Sequence, residues 1–327
     1  MILKYILRRI FFFIITAWAA LTLDFLLPRI MPGNPAEIMV SKFQGRLSLE
    51  AVHALNIAFG LNTKQSIFFQ YIEYLSRTLT GNFGISMTFY PTPVSQVLAQ
   101  AIPWTLGLAG TSTIIAFILG TMFGINVAWH RDSVFSEFSI PISYFISTMP
   151  YFWFAIIIEF LFGYLLGWFP LGGAYSSSSV GFSVIISILY HSILPAATII
   201  VTAMGGWMIT MRNNMISVLS DDYITFAFAQ GLPENEIELN YAARNAILPS
   251  FTGFAMAIGF VISGVLLTEI VFSYPGVGYL LYQAVLNIDY PLMQAIFLFI
   301  TIAVLIANFI ADIVYVFLDP RARSGGE

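Results

Sequence analysis

Apolar residues run along this chain in blocks of roughly 20 or more, long enough for each block to cross a bilayer as a helix. Six such blocks fall near 10–30, 104–129, 137–167, 190–211, 250–274 and 292–317. Backbone N–H and C=O groups find no water inside lipid, so helices are the expected form for all six. The first block passes Ala17-Trp18-Ala19, a superficial match to a signal-peptide cleavage site, and stays apolar to Leu27. That continuation predicts an uncleaved first helix. Between the first two blocks, 49–59 and 65–78 place apolar residues at helical spacing, with Ser48 a candidate N-cap and Gly60 a stop. Tyr71, Tyr74 and Leu75 share a face there, and Glu73 meets Arg77 at i,i+4. Two amphipathic helices resting on the membrane surface are the expectation. Gly107, Gly110 and Gly120-x-x-x-Gly124 in the second block predict close helix packing. The serine-rich run at 176–179 reads as an exposed outer turn.

One interruption differs from the rest. From Asp221 to Pro249 the chain is too polar for lipid and reads as two short helices broken at Gly231. Glycine suits the left-handed position past a helix end, and Pro233 suits a helix start. Glu234 and Glu236 fall in a first turn and Arg244 in a last turn, as the helix dipole favours. Pro249 is expected to stop the second helix where the next span begins. Ala227 and Ala229 leave little side chain, so a partner can close on the first helix, while Ile237 and Tyr241 form an apolar i,i+4 pair on the second.

Composition agrees with a lipid environment. Hydrophobic residues make up 58% and charged residues 9%, with mean hydropathy +0.85, against about 25% charge in a typical soluble domain. There is no cysteine, which excludes disulfides and thiolate metal sites. A net charge of −4 without a basic patch argues against nucleic acid as a partner. Basic residues set the expected orientation. Lys4, Arg8, Arg9, Arg131, Arg212, Arg244, Arg321 and Arg323 all fall on one side if the N-terminus is cytoplasmic. Arg29, Lys42, Arg46, Lys64 and Arg77 then lie outside, most of them in one long loop, and long loops translocate with little regard to charge. The expected fold is therefore an all-α integral membrane protein with six transmembrane helices, a cytoplasmic N-terminus and a long extracytoplasmic segment between helices 1 and 2. Its divisions are the first helix (1–31), an extracytoplasmic amphipathic segment (32–102), a five-helix core (103–320) carrying the cytoplasmic loop 213–249, and a tail (321–327).

Catalytic chemistry is not visible. No G-x-x-x-x-G-K-[ST] occurs, and the terminal Ser324-Gly325-Gly326-Glu327 lacks the flanking helix of an ATPase signature. Gly276-x-Gly278 has no third glycine, and His53, His130 and His191 have no second ligand at i+3 or i+4. The chain is expected not to be an enzyme and to bind no metal or cofactor. Asp24, Glu159, Glu269 and Asp312 fall within or beside spans, where a carboxylate must face protein or water. Asp312 can reach the headgroups or pair with Arg321, and Asp24 can be neutral or pair with Arg29. Glu269 is open between helix-end packing and lining a pathway; Glu159 is expected in the bundle interior. Trp153, Trp168, Trp207 and Tyr164 suit either the membrane interface or a stacking platform for sugars. The expected pathway set is Glu159, Glu269, Trp153 and Trp207.

Several motifs share one order and spacing. They are Tyr5-Ile6-Leu7-Arg8-Arg9, Met31-Pro32-Gly33-Asn34-Pro35, Gly81-Asn82-Phe83-Gly84-Ile85-Ser86, Met149-Pro150-Tyr151-Phe152-Trp153 and Ala227-x-Ala229-x-Gly231. Arg244-Asn245-Ala246-Ile247-Leu248-Pro249, Glu269 through Gly278 and Leu318-Asp319-Pro320-Arg321 complete the series. Along nearly its whole length the chain thereby resembles permeases of ABC importers, in the dipeptide/oligopeptide branch. The resemblance implies a permease working in the cell membrane with a second homologous permease, two ATPase subunits at the cytoplasmic face and an extracytoplasmic binding protein. ATP and magnesium would be used by the ATPases. It assigns ATPase docking to Tyr223, Ala227, Ala229, Gly231, Ile237, Tyr241, Asn245, Leu248 and Pro249. Members of the branch usually carry basic residues where this chain has Thr225, Phe228 and Gln230, so charge pairing is not expected there. Oligopeptides are the expected solute, oligosaccharides the alternative. A secondary transporter or a membrane scaffold is the alternative of another class.

Overall fold

A computed structural model describes residues 2–31, 65–176, 178 and 180–318. In chain order its helices are α1 (Ile2–Ile30), α2 (Ile67–Leu79), α3 (Val94–Trp129), α4 (Val134–Thr148) and α5 (Tyr151–Ile158), which runs on as a π-helix over Glu159–Leu165. Then come α6 (Phe182–Leu219), α7 (Asp222–Ala229), α8 (Glu234–Glu236) with a π-helix over Ile237–Ala243, and α9 (Arg244–Gly264). The series closes with α10 (Leu266–Val271), α11 (Val277–Leu286) and α12 (Tyr290–Leu318). Among the described residues there is no strand, only an isolated bridge between Ile85 and Pro93. Among the described residues, four helical stretches are long and apolar enough to cross a membrane: Ile10–Ile30, Val94–Trp129, Phe182–Leu219 and Tyr290–Ile310. The pair Val134–Thr148 and Tyr151–Leu165 qualifies only as one span bent by 103°.

The chain divides into two compact units: Met1–Thr105 with Pro275–Ile306, and Leu106–Tyr274 with Ala307–Glu327. In the first, α2 lies on α1. Phe25 packs against the rings of Tyr71 and Tyr74 at 5.2 and 5.6 Å, and the Thr22 and Tyr71 hydroxyls are 2.7 Å apart. The shared face read from 65–78 is real, and Arg77 pairs with Glu73 at 2.5 Å. Arg29 does not pair with Asp24; it stacks over Phe25 and donates to the Phe25 carbonyl and to Gln70. The core joins Val94, Val97 and Leu98 of α3 to Val277 of α11 and to Leu292 and Ile296 of α12. Its seal is Asp289, fully buried, which accepts from the Ser86 hydroxyl at 2.6 Å, the Thr88 N–H at 2.8 Å and the Leu292 N–H at 3.2 Å.

In the second unit, α3 and α6 meet backbone to backbone. A Cβ at Gly120 would lie 2.6 Å from the Met204 carbonyl oxygen, and one at Gly205 would lie 2.8 Å from the Ser143 carbonyl oxygen of α4. Close helix packing is the outcome at Gly120 and Gly124; Gly107 and Gly110 have open space around them.

Several boundaries differ from the expectation. The block at 137–167 is not one straight helix, because Pro150 supplies no N–H and turns the chain after Met149. Pro249 does not stop a helix but lies inside α9, as Pro103, Pro141 and Pro195 lie inside α3, α4 and α6. Membrane helices tolerate proline where neighbouring groups satisfy the freed carbonyl. Arg244 consequently lies inside a helical run unbroken from Glu234 to Gly264 instead of closing a helix, and the block at 250–274 breaks at Val265 between α9 and α10. Residue 213, the expected start of the polar loop, is still within α6. The segment 49–59, the tail 321–327 and the side chain of Asp312 lie outside the described residues.

Candidate functional site

The polar loop is built as a hinge and a set of ties. Helix α7 ends at Ala229, and Gly231 takes φ +73° with no atom within 4 Å of a Cβ placed on it. Its requirement is conformational, since L side chains avoid that region. The chain then re-enters helix after Pro233, with Glu234 and Glu236 in the first turn. Ile224, Ala227 and Ile237 turn inward onto Ala128 of α3 and onto Met211 and Met215 of α6. Tyr241 is half-buried in the same cluster.

This corrects one expectation. Ala227 is 1% exposed and so offers no surface to a partner; its small side chain instead lets α7 sit close on its own unit. The reason is spacing, because Ile224 and Ala227 share one helical face and the adjoining core captures it. Ala229, Leu248 and Pro249 are exposed, and Tyr223 lies between exposed and half-buried at 38%. Phe226, Phe228 and Leu239, not picked out beforehand as surface residues, are exposed as well. The outer face of α7 thus presents large apolar side chains beside Ala229.

Polar ties hold the two halves of the loop in fixed relation. Asn245 donates to the Tyr223 hydroxyl and to the Tyr241 carbonyl, each at 2.9 Å, and the Tyr223 hydroxyl lies 3.5 Å from the same carbonyl. Below them, Asn214 of α6 donates to the Ala246 carbonyl at 3.2 Å and to the Ser250 hydroxyl at 3.0 Å in α9. Trp129, the last residue of α3, stacks on Phe228 with centroids 6.2 Å apart. Asn214, Ser250 and Trp129 escaped the sequence reading. For Asn214, beside Asn213, and for Ser250 the signal is a polar side chain in a largely apolar helix, since each needs a partner when buried.

The expected pathway residues occupy unlike settings. Glu269 is fully buried within the second unit, which fits helix-end packing and not an open lumen. Glu159 is half-buried at the start of the π-helix that continues α5. Trp207 packs edge-on to Phe117 at 5.2 Å and to Phe254 at 6.3 Å, inside an aromatic cluster. Trp153 is 58% exposed just after the bend between α4 and α5; Trp168 and Tyr164 are exposed too. Among the described residues, no three His, Asp or Glu side chains gather in a way that could hold a metal ion.

Residues 120–324 match the family described as binding-protein-dependent transport system inner membrane component. An oligopeptide transport system permease protein of Bacillus subtilis is 33% identical, covering 97% of this chain and 98% of its own length. A di/tripeptide transport system permease protein of Pseudomonas aeruginosa is 31% identical over 98% and 99% of the two chains. A glutathione transport system permease protein of Escherichia coli is 29% identical over 98% and 99%.

Proposed function

Because the chain belongs to the family of binding-protein-dependent transport system inner membrane components, we propose a complete reading of it as the membrane permease of an ATP-driven peptide importer. The observation that carries the reading is similarity along nearly the full length to proteins named as oligopeptide, di/tripeptide and glutathione permeases. The chain is a transport component of the membrane, not an enzyme.

The finer assignments extend this reading. We place six spans in the membrane with the N-terminus cytoplasmic, counting α4–α5 and α9–α10 each as one bent span. A second, homologous permease completes the pathway. Two ATPase subunits, which use ATP and magnesium, dock on the loop through the face of Tyr223, Phe226 and Ala229 and through the exposed Leu248. A binding protein outside delivers the peptide. The tied loop suits this task, since a push on α7 passes through Tyr223 and Asn245 to α9, and from Ala246 and Ser250 through Asn214 to α6. Rigid transmission of this kind needs contiguous packed contacts, which the buried cluster under α7 supplies.

Uptake of a labelled peptide series by vesicles carrying the complete complex tests the reading, with β-linked oligosaccharides in parallel. Peptide uptake that requires ATP is expected. Uptake that survives without ATP and collapses with the proton gradient would mean a secondary transporter. In the same vesicles, Gly231→Asp is expected to leave the complex assembled and hydrolysing ATP. Its transport should fall about tenfold, a coupling loss of about 1.4 kcal/mol.

A further inference from the structure

The bend between α4 and α5 sits where a membrane protein has least freedom to break a helix. Arg212 is the first charged side chain met along α6 from Phe182, and a charge there marks the cytoplasmic edge of the hydrocarbon. From Arg212 back to Thr202 is about 15 Å at 1.5 Å per residue, half of a hydrocarbon core about 30 Å thick. Thr202 shares a cavity of about 360 Å³ with Ser147, Thr148, Met149 and Pro150, the residues of the bend. Along α4, the 12 residues from its one charged residue, Glu137, to Met149 give a similar depth of about 18 Å. The broken backbone therefore lies near the bilayer midplane. Non-helical backbone at that depth is tolerated only where it is buried in protein or lines a watery cavity, and here Ser147, Thr148 and Pro150 are exposed.

Hydroxyl orientation narrows the chemistry. Ser147 donates to the Tyr144 carbonyl at 3.0 Å, Thr148 to the Phe145 carbonyl at 2.9 Å and Thr202 to the Thr198 carbonyl at 2.7 Å. Each O–H is thus occupied within its own helix, and what each oxygen has left is acceptor lone pairs. A second cavity in the same unit, also about 360 Å³, is a contrast: Phe123, Val134, Phe135, Phe138, Ile142 and Met208 line it. It suits lipid or an apolar neighbour.

We propose that the elbow at Met149–Pro150 lines the solute pathway, and that Ser147, Thr148 and Thr202 form a subsite accepting hydrogen bonds from the N–H groups of a passing peptide. The assignment rests on the permease reading above. It also explains how one site passes peptides of different sequence, since backbone N–H groups are common to all of them.

This chain has no cysteine, so each introduced thiol is the only one it carries, and the unsubstituted complex gives the background from the partner subunits. Ser147→Cys, Thr148→Cys and Thr202→Cys are made singly in the complete complex, with Ile142→Cys as the control from the apolar cavity. A charged, membrane-impermeant methanethiosulfonate is the probe, with ATP turnover and with or without saturating peptide. The three elbow thiols are expected to react about tenfold or more faster than the control, because the reactive thiolate forms where water reaches. Saturating peptide should slow them severalfold. Elbow thiols as unreactive as the control, in complexes that still import peptide with ATP, would overturn the assignment while leaving the permease reading intact. Reaction that peptide does not slow would overturn the subsite. Loss of ATP-driven peptide uptake by the unmodified complex would instead overturn the permease reading itself.

Discussion

A Cβ added at Gly124 would lie 2.6 Å from the Met208 carbonyl oxygen and 2.7 Å from the Met211 Cβ, closer than atoms can sit without movement. Gly124→Ala is therefore expected to lower stability by about 1–3 kcal/mol, read as a fall in the thermal unfolding midpoint of the purified complex. Gly110→Ala is the control, since nothing lies within 4 Å of its Cβ and alanine favours helix. Asp289 is a second sensitive residue. Asp289→Ala would strip acceptors from the Ser86 hydroxyl and the Thr88 and Leu292 N–H groups, at about 1–3 kcal/mol for each donor left buried and unpaired. Faster proteolysis of the segment 81–93 is the expected readout. Sequence made Gly124 legible, because small residues four apart in an apolar helix have one dominant use. Asp289 was not legible, because nothing local in Asn287-Ile288-Asp289-Tyr290 names a partner near residue 86. Ala227 was legible as a small residue and misread as to direction, since spacing alone does not say which face of α7 is covered.

At the scale of elements, the proposed coupling role of the loop rests on its ties more than on its helices. Asn214→Ala would remove donors to the Ala246 carbonyl and to Ser250 and so loosen α6 from α9. The expected result is normal assembly with less peptide moved per ATP hydrolysed, by about fivefold or more. A proportional fall in both rates would point to a docking defect instead. The turn at Gly231 was legible from residue type, since a positive φ selects glycine. The bend after Met149 was less so: the apolar composition runs unbroken from α4 into α5, and Pro150 in such a run reads equally as a kink or as a stop. Pro249 shows the converse, a proline carried inside a helix.

Across the whole molecule, the pattern of apolar blocks anticipated an all-helical chain and the positions of its longest spans. It did not anticipate the grouping, because Pro275–Ile306 joins the N-terminal residues in one compact unit while Leu106–Tyr274 and Ala307–Glu327 form the other. Chain order carries no trace of that partnership, which rests on α11 and α12 packing against the start of α3. Orientation is open to direct measurement. With the N-terminus cytoplasmic, a thiol at the exposed position 221, introduced as Asp221→Cys, should react with an impermeant reagent only from the cytoplasmic face of sealed vesicles. Reaction from the outer face would invert the whole arrangement.

The buried contact between Ser86 and Asp289 spans 203 positions of chain. A ribosome adding about 5–20 residues per second needs roughly 10–40 s to pass from one to the other. Through that interval the first unit is an unfinished object, with Ser86 and the Thr88 N–H awaiting an acceptor that has not been synthesised. Translation that stops short of α11 leaves them to water, and the seal on the first unit cannot form.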